Sequence, residues 1–243
     1  MRISRFYLAQ TLSPGATIQL SDESAHYLRT VLRLKKGAEL VVFNGDGGEY
    51  PASVAEVHKE AVRLALGAFN PHETESPLRI SLGLGISRGE RMDLAIQKAV
   101  ELGVSAITPL LAERCVVQLD EGARKAQRLR HWRKIVQSAC EQCGRNRVPE
   151  VFEPLQLDAW TERQSGLRLF LDPYGTLSLR ELPPPGGPIC LLSGPEGGFS
   201  GNERKAAITA GFMAIRLGPR VLRTETAALA ALTAIQTLWG DLG

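Results

Sequence analysis

The chain has 243 residues, of which 44% are hydrophobic and 23% charged, a balance typical of globular proteins and unlike that of disordered or membrane-spanning chains. Its formal net charge of +3 is mildly basic, and four cysteines in a chain this long do not indicate a disulfide framework. Cys140 and Cys143 lack a second pair at zinc-binding spacing, so we expect no metal site. The start of the chain lacks the hydrophobic stretch of a signal peptide, which indicates a cytoplasmic protein.

The first seventy residues predict a small, β-rich unit. Apolar runs bounded by turn residues predict strands at residues 3–8, 39–43 and 49–57. A short helix is predicted between the first two, and on it His26, Arg29 and Arg33 share one face at helical spacing. This face is a candidate surface for a negatively charged partner.

The pattern changes after residues 70–77, a polar segment bracketed by prolines that is the best linker candidate. Strand patterns then alternate with helical ones, which is typical of βαβ units around a mostly parallel sheet. The predicted strands include residues 80–86, 106–111 and 167–171, and helices are predicted from Met92 to Gly103 and at residues 224–239. We therefore predict an α/β domain at residues 73–243, preceded by a β-rich domain at residues 1–72.

Positive charges are concentrated in two parts of the chain. Between residues 124 and 147, eight lysines and arginines accompany a single acid, Glu141. A second cluster is N-terminal and contains Arg2, Arg5, Arg29, Arg33, Lys35 and Lys36. Clustered cations neutralise phosphates and release counterions. A solvated helix face explains most charge runs, but two separate clusters favour an RNA partner.

Two glycine-bearing turns near the C-terminus are the most informative feature. The first glycine turn, residues 194–199 (GPEGGF), follows an apolar strand pattern, and so does the second glycine turn, residues 218–227 (GPRVLRTETA). Glycine lets the main chain approach a ligand closely, and open α/β sheets bind small molecules at the carboxyl ends of their strands. Neither turn matches a phosphate-binding P-loop or the dinucleotide fingerprint. One such turn is explained by an ordinary strand-to-helix connection, whereas two favour a cofactor site.

Together with residues 26–35 (HYLRTVLRLK), 97–104 (QKAVELGV) and 141–145 (EQCGR), these turns resemble the SPOUT methyltransferases, and most closely the RsmE family. That family methylates N3 of one uridine in small-subunit (16S) ribosomal RNA. The resemblance implies a SPOUT α/β trefoil-knot domain with a mostly parallel sheet, preceded by a small β-rich PUA-like domain. It also implies S-adenosyl-L-methionine as cofactor, small-subunit ribosomal RNA or the assembled small subunit as partner, a homodimer and no membrane partner.

The resemblance also implies roles for individual residues. The cofactor would be bound by Leu192, Ser193, Gly194, Pro195, Glu196, Gly197, Gly198, Leu217, Gly218 and Leu222, with Glu196 either a polar contact or a structural cap of the turn. Arg223 would stabilise charge on the uracil oxygens, and Glu225 or Glu141 would either accept the N3 proton or simply pair with a neighbouring arginine. RNA would be contacted by Arg2, Arg5, His26, Arg29 and Arg33.

Three other functions fit parts of the sequence. A SPOUT enzyme acting on transfer RNA or on a ribose hydroxyl would share both glycine turns. A non-catalytic RNA-binding or assembly factor would keep the fold but have degraded cofactor loops. A metabolic α/β enzyme would leave the basic clusters unexplained. Since both turns are intact and the resemblance covers almost the whole chain, methylation of uridine N3 in 16S ribosomal RNA is the expected function.

Overall fold

The computed structural model describes residues 3–116 and 122–243, which form two compact units. The first unit comprises Met1–Glu75 together with Cys140–Val148, and the second comprises Ser76–Ala139 together with Pro149–Gly243. The chain thus completes the first unit with a segment that follows much later in the sequence.

A sheet of five strands forms the first unit. The strands are β1 (Ser4–Tyr7), β2 (Thr17–Ser21), β3 (Glu39–Phe43), β4 (Tyr50–Val57) and β5 (Ala61–Leu66). Their order is β1-β3-β4-β5-β2, with β1 parallel to β3 and the other neighbouring pairs antiparallel. A short helix, α1 (Asp22–His26), continues directly into a π-helical turn, Tyr27–Val31. The predicted β-rich N-terminal unit is therefore confirmed.

The core of the first unit follows from the alternation of side chains along its strands. Leu40 and Val42 on β3 are two residues apart and buried, as are Val62 and Leu64 on β5. Successive side chains of a strand point to opposite faces, so these positions bring apolar groups to one face of the sheet. Leu28 of the π-helical turn is fully buried in the same cluster.

The returning segment is joined to the rest of the first unit by polar contacts. The Arg145 guanidinium donates hydrogen bonds to Glu75, at 3.0 Å from Nε to Oε1 and 2.6 Å from Nη2 to Oε2. The Asn146 side chain donates to the carbonyl of His72 at 2.7 Å. Both side chains are buried, so these contacts belong to the interior of the unit.

The second unit is built on a sheet of seven strands. They are β6 (Ile80–Gly85), β7 (Ala106–Leu111), β8 (Glu150–Val151), β9 (Leu155–Gln156), β10 (Leu167–Leu171), β11 (Ile189–Ser193) and β12 (Met213–Ile215). The order is β12-β10-β11-β6-β7-β8, and β9 also pairs with β7. Every pairing among these described strands is parallel, which confirms the predicted α/β class. Strand β11 is buried along its whole length, as expected for a strand covered on both faces.

Five α-helices accompany this sheet within the residues that the structure describes. They are α2 (Glu90–Glu101), α3 (Ala123–Cys143), α4 (Leu157–Thr161), α5 (Gly201–Thr209) and α6 (Thr224–Trp239). Helix α2 buries its predicted apolar face, including Met92, Ile96 and Ala99, and packs against α6. In the described part of the chain, none of the helices combines the length and apolar character needed to cross a bilayer.

Candidate functional site

A cleft of about 980 Å³ lies where three neighbouring strands of the second unit end. Strands β10, β11 and β12 are parallel, so their carboxyl ends meet at one edge of the sheet. The first glycine turn follows β11, the second follows β12, and both line the cleft. This is the position at which open α/β sheets bind ligands.

The first glycine turn is held by close packing of the main chain. A Cβ on Gly85 would lie 2.4 Å from the nitrogen of Pro195, so β6 approaches the turn this closely only because residue 85 is glycine. A Cβ on Gly197 would lie 2.8 Å from the Cβ of Arg114. At Gly198, where φ is +65°, a Cβ would meet no atom within 4 Å. The turn is therefore packed on its protein side and open at Gly198.

Glu196 of the first turn is bound to the segment that leads into α2. Its Oε1 accepts a hydrogen bond from the backbone N–H of Arg88 at 3.1 Å and another from the Arg91 guanidinium at 3.4 Å. Burial by itself raises the pKa of the Glu196 carboxyl. Hydrogen bonds from the N–H groups of Arg88 and of Glu196 itself, with the charge of Arg91, outweigh burial and hold that pKa below its ordinary value. Glu196 thus stabilises the turn as a carboxylate while it lines the cleft.

The start of α5 is set by a capping box directly after the first turn. The Ser200 hydroxyl accepts a hydrogen bond from the N–H of Glu203 at 3.2 Å, and Glu203 Oε2 accepts one from the N–H of Ser200 at 2.7 Å. Glu203 Oε1 also accepts from the N–H of Glu113 at 2.8 Å. These bonds hold the first turns of α5 in place, where Arg204 and Lys205 line the cleft.

The second glycine turn leads into α6 and brings two candidate catalytic residues to the cleft. Arg223 is the N-cap residue of α6 and is exposed, and Glu225 lies in the first helical turn, where the helix dipole favours an acid. Glu225 Oε2 is buried but has no hydrogen-bond partner among the described residues. A buried carboxylate oxygen gains stability from a hydrogen-bond donor, so Glu225 Oε2, like Glu196 Oε2 in the first turn, is available to accept a hydrogen bond from a group bound in the cleft.

A third wall of the cleft follows β10 and was not singled out in the sequence analysis. Asp172 Oδ1 accepts a hydrogen bond from the N–H of Tyr174 at 2.9 Å, and Asp172 Oδ2 lies 2.5 Å from Arg204 Nη2 of α5. The signal available in the sequence was the turn-forming run Asp-Pro-Tyr-Gly directly after a predicted strand. No established motif marks it.

Eight of the ten predicted cofactor residues line the cleft: Ser193, Gly194, Pro195, Glu196, Gly197, Gly198, Leu217 and Leu222. The other two lie beside it. Leu192 is fully buried in the core, and Gly218 has a φ of +76° that shapes the second turn. Arg223 and Glu225 line the same cleft, so the structure brings these predicted residues together.

Glu141, the other candidate base, does not line the cleft but belongs to the first unit. Its Oε1 accepts a hydrogen bond from the backbone N–H of Tyr7 at 3.0 Å. Burial raises the pKa of the Glu141 carboxyl, although the Tyr7 N–H and the charge of Arg5 oppose the shift. These contacts give Glu141 a place in the interior of the first unit.

The predicted RNA contacts differ in their surroundings. Arg2 lies outside the described residues. Arg5 is largely buried: it forms an ion pair with Glu49, donates to Asn146 at 2.5 Å and lies 5.0 Å from the ring centroid of Phe43. The Arg5 guanidinium is therefore engaged within the first unit.

The other three predicted contacts are more accessible. His26 and Arg33 are exposed, and Arg33 has a positive φ of 52°. Arg29 is half-buried and donates to the carbonyls of His58 and Lys59. Within residues 3–116 and 122–243, no group of three or more histidines, cysteines or acids is placed to hold a metal ion.

Residues 74–236 match the family described as RNA methyltransferase domain, and residues 20–66 match the RNA methyltransferase PUA domain. Ribosomal RNA small subunit methyltransferase E of Buchnera aphidicola subsp. Schizaphis graminum is 40% identical over 243 residues, which cover 99% of this chain and 98% of that protein. A methyltransferase structure from Legionella pneumophila with bound cofactor SAM is 42% identical, with a TM-score of 0.96 and full coverage of both chains. The structure of ribosomal RNA small subunit methyltransferase E from Neisseria gonorrhoeae bound to S-adenosyl methionine is 40% identical, with a TM-score of 0.93 and full coverage of both chains.

Proposed function

The chain belongs to the RNA methyltransferase family that includes ribosomal RNA small subunit methyltransferase E, and we propose that it transfers the methyl group of S-adenosylmethionine to N3 of a uridine in 16S ribosomal RNA. The observation that carries the proposal is the cleft that both glycine turns form where β10, β11 and β12 end. A non-catalytic factor would not need this cleft. Both glycine turns that line the cleft keep their full sequence, whereas a non-catalytic factor is expected to have degraded cofactor loops.

The residues of the cleft fit S-adenosylmethionine. A volume of about 980 Å³ accommodates a cofactor of this size. The backbone at Gly198 is open, since a Cβ there would meet no atom within 4 Å, so a ligand can approach the main chain. Leu217 and Leu222 supply apolar surface for an adenine ring. The first turn and the Leu217–Leu222 segment would therefore hold the cofactor from two sides.

When bound, S-adenosylmethionine supplies an electrophilic methyl group on a sulfonium centre. Uracil N3 carries a proton at neutral pH, so the protein must accept that proton or stabilise the resulting anion. Glu225 is our proposed acceptor, because its Oε2 is buried in the cleft without a donor. Arg223, beside it at the start of α6, would stabilise the charge that develops on the uracil oxygens.

RNA would also be contacted by the first unit, through His26, Arg29 and Arg33, with Arg2 as a further contact. The exposure of His26 and Arg33 supports this assignment, and Arg29 is half-buried beside them. Arg5 would act indirectly, by holding the unit together through Glu49.

We further propose a cytoplasmic homodimer with the trefoil knot that the family resemblance implies. Leu238 at the end of α6 and Leu242 just beyond it are 42% and 50% exposed, which leaves apolar surface for a second copy. Light scattering of the purified protein measures the oligomeric state directly, and a monomer at micromolar concentration would contradict the dimer.

The decisive experiment is methyl transfer from labelled S-adenosylmethionine to small ribosomal subunits isolated from a strain that lacks this enzyme. We expect N3-methyluridine at one position of 16S ribosomal RNA, identified by mass spectrometry of nucleosides. Cofactor binding without any methylated ribosomal RNA would contradict the proposed substrate and favour transfer RNA or a ribose hydroxyl. Absence of cofactor binding would favour an assembly factor.

A further inference from the structure

The cleft carries more positive charge than a cofactor site requires. Seven lysine and arginine side chains line it against three acids, a net excess of four positive charges. S-adenosylmethionine is positively charged at its sulfur and carries no phosphate, so it does not account for this excess. A polyanion that reaches the same cleft would account for it.

Four of these cations form what we call the cation rim. They are Lys205, Arg216, Arg220 and Arg223. All four are exposed, and none forms an ion pair with any residue that the structure describes. Lys205 lies on α5, and the other three lie just before or within the second glycine turn. Unpaired cations on two neighbouring elements are suited to contact successive phosphates of one strand.

An aromatic side chain lies at the same cleft. Tyr174 is 78% exposed, yet its loop is held, because its N–H donates to Asp172 at 2.9 Å. The Arg204 guanidinium lies 5.3 Å from the centroid of the Tyr174 ring and is anchored by its ion pair with Asp172. The ring is therefore supported by a fixed cation while most of its surface remains open.

Apolar side chains extend this open surface. Val221 in the second turn is 82% exposed and Ile208 on α5 is 58% exposed, and both line the cleft with Tyr174. A single exposed apolar residue needs no explanation, but three around one cleft beside unpaired cations form a distinct surface. An aromatic platform next to a positively charged groove is the combination that binds single-stranded nucleic acid.

We propose that the mouth of the cleft binds the substrate RNA as a single strand, with Tyr174 stacked on an unpaired base and with Lys205, Arg216 and Arg220 of the cation rim on the neighbouring phosphates. The inference rests on the proposed function and identifies the residues that position the substrate. A base within folded RNA must be turned outward before a methyl group can reach it, and an exposed ring beside the cofactor site receives such a base. Tyr174 is a positioning residue in this scheme.

The test compares Tyr174→Leu with Tyr174→Phe in the full-length protein. The affinity for a fluorescein-labelled single-stranded oligouridine is measured by anisotropy, and the affinity for S-adenosylmethionine by calorimetry. We expect Tyr174→Leu to weaken RNA binding about tenfold, the usual effect of losing one base–aromatic stack, and Tyr174→Phe to restore it. Cofactor affinity and thermal stability should be the same in both variants.

The cation rim is tested by the salt dependence of RNA binding. The logarithm of the RNA-binding constant falls with the logarithm of the salt concentration, and each phosphate contact of a single strand adds about 0.7 to the steepness of this fall. Lys205→Ala and Arg216→Ala should therefore each make the fall less steep by about 0.7. Arg163→Ala is the matched control, because Arg163 is an exposed cation that does not line the cleft. Its slope should equal that of the wild type.

Two results would overturn the inference. If Tyr174→Leu weakened cofactor binding and left RNA binding unchanged, the ring would belong to the cofactor site. If Tyr174→Leu changed neither RNA affinity nor cofactor affinity, Tyr174 would have no role in positioning the substrate. That conclusion would hold even if the wild type methylated small subunits as proposed. Failure of the wild type to methylate them is a separate outcome that contradicts the proposed function, and the RNA-binding comparison still decides the role of Tyr174.

Discussion

Gly85 at the end of β6 lies so close to Pro195 of the first glycine turn that a Cβ would come within 2.4 Å of the proline nitrogen and 2.6 Å of its Cδ. Both contacts are with rigid atoms of the main chain or the proline ring. Since β6 and β11 are paired neighbours in the sheet, neither partner can move away without disturbing that pairing. The position of the first glycine turn thus depends on the absence of a side chain at residue 85 of the adjacent strand.

Gly85→Ala should therefore destabilise the protein by about 1–3 kcal/mol, the usual cost of overpacking, and weaken binding of S-adenosylmethionine. Urea denaturation and calorimetric titration measure the two effects. Gly186→Ala is the control, because a Cβ there would meet no atom within 4 Å. If Gly85→Ala matched this control in both measurements, the close approach would not determine the position of the turn.

Glu225→Gln should lower kcat for methyl transfer by about 10²- to 10⁴-fold, the range expected when a general base is lost. Cofactor affinity should change little, because the amide retains an acceptor oxygen. Arg223→Ala should lower kcat as well, through loss of charge stabilisation. Thr226→Ser, an exposed neighbour on the same helix, is the control and should remain active. Full activity of Glu225→Gln would rule out Glu225 as the proton acceptor.

The raised pKa of Glu141 should make the stability of the folded protein depend on pH. Because burial raises the pKa of this carboxyl in the folded state, the folded protein keeps the proton at pH values where the unfolded chain has released it. The contribution of Glu141 to the free energy of unfolding is therefore largest at pH values below its pKa in the unfolded chain. This contribution falls as the pH rises through the pKa that Glu141 has in the folded protein. Glu141→Gln removes this decline, and its amide oxygen can still accept from the N–H of Tyr7.

The measurement for Glu141 is the free energy of unfolding from about pH 4 to 7, a range that spans the ordinary and raised values for a glutamate. The variant should lose less stability over this range than the wild type and should keep its methyl transfer activity. Glu162→Gln, at an exposed position, provides the comparison and should follow the wild type. Parallel pH profiles for Glu141→Gln and the wild type would argue against a raised pKa.

Arg5 and Arg33 were both predicted to contact RNA, but replacing each by alanine should affect stability and RNA binding differently. Arg5→Ala leaves the carboxylate of Glu49 buried without its cation, which should destabilise the protein by about 3–5 kcal/mol. Arg33→Ala should change stability by less than about 0.5 kcal/mol, since Arg33 is exposed, but should weaken RNA binding. Thermal denaturation and anisotropy measure the two effects. Equal stability of the two variants would contradict the structural role of Arg5.

The elements that are continuous in sequence were predictable. The spacing of Met92, Ile96 and Ala99 identified α2, and the apolar run of β11 identified a buried strand. Strands β2 and β5 were not predicted from the sequence, although Val62 and Leu64 of β5 alternate with more exposed residues as strand residues do. Strands β8 and β9 have two residues each, which is too short for any periodicity to appear.

The candidate site was predictable where it follows a motif and not where distant segments meet. Both glycine turns were identified from local sequence, and the structure brings them to one cleft. Asp172 and Tyr174 carry no motif, and their importance depends on Arg204 in a later helix. Glu141 lies 134 residues from Tyr7, so no local pattern could indicate their hydrogen bond. The domain boundary between residues 72 and 73 stays a prediction.

The return of residues 140–148 to the first unit has a consequence for the order in which the protein is completed during synthesis. A ribosome that has translated the first 75 residues has not yet made Asn146, a partner of Arg5, or Arg145, the partner of Glu75. The N-terminal unit is therefore the first to begin, and its interior is complete only after β6, α2, β7 and most of α3 have been made. A truncated fragment that ends at Glu75 would leave Arg5 and Glu75 without these contacts, so the two units cannot be separated by a single cut in the gene.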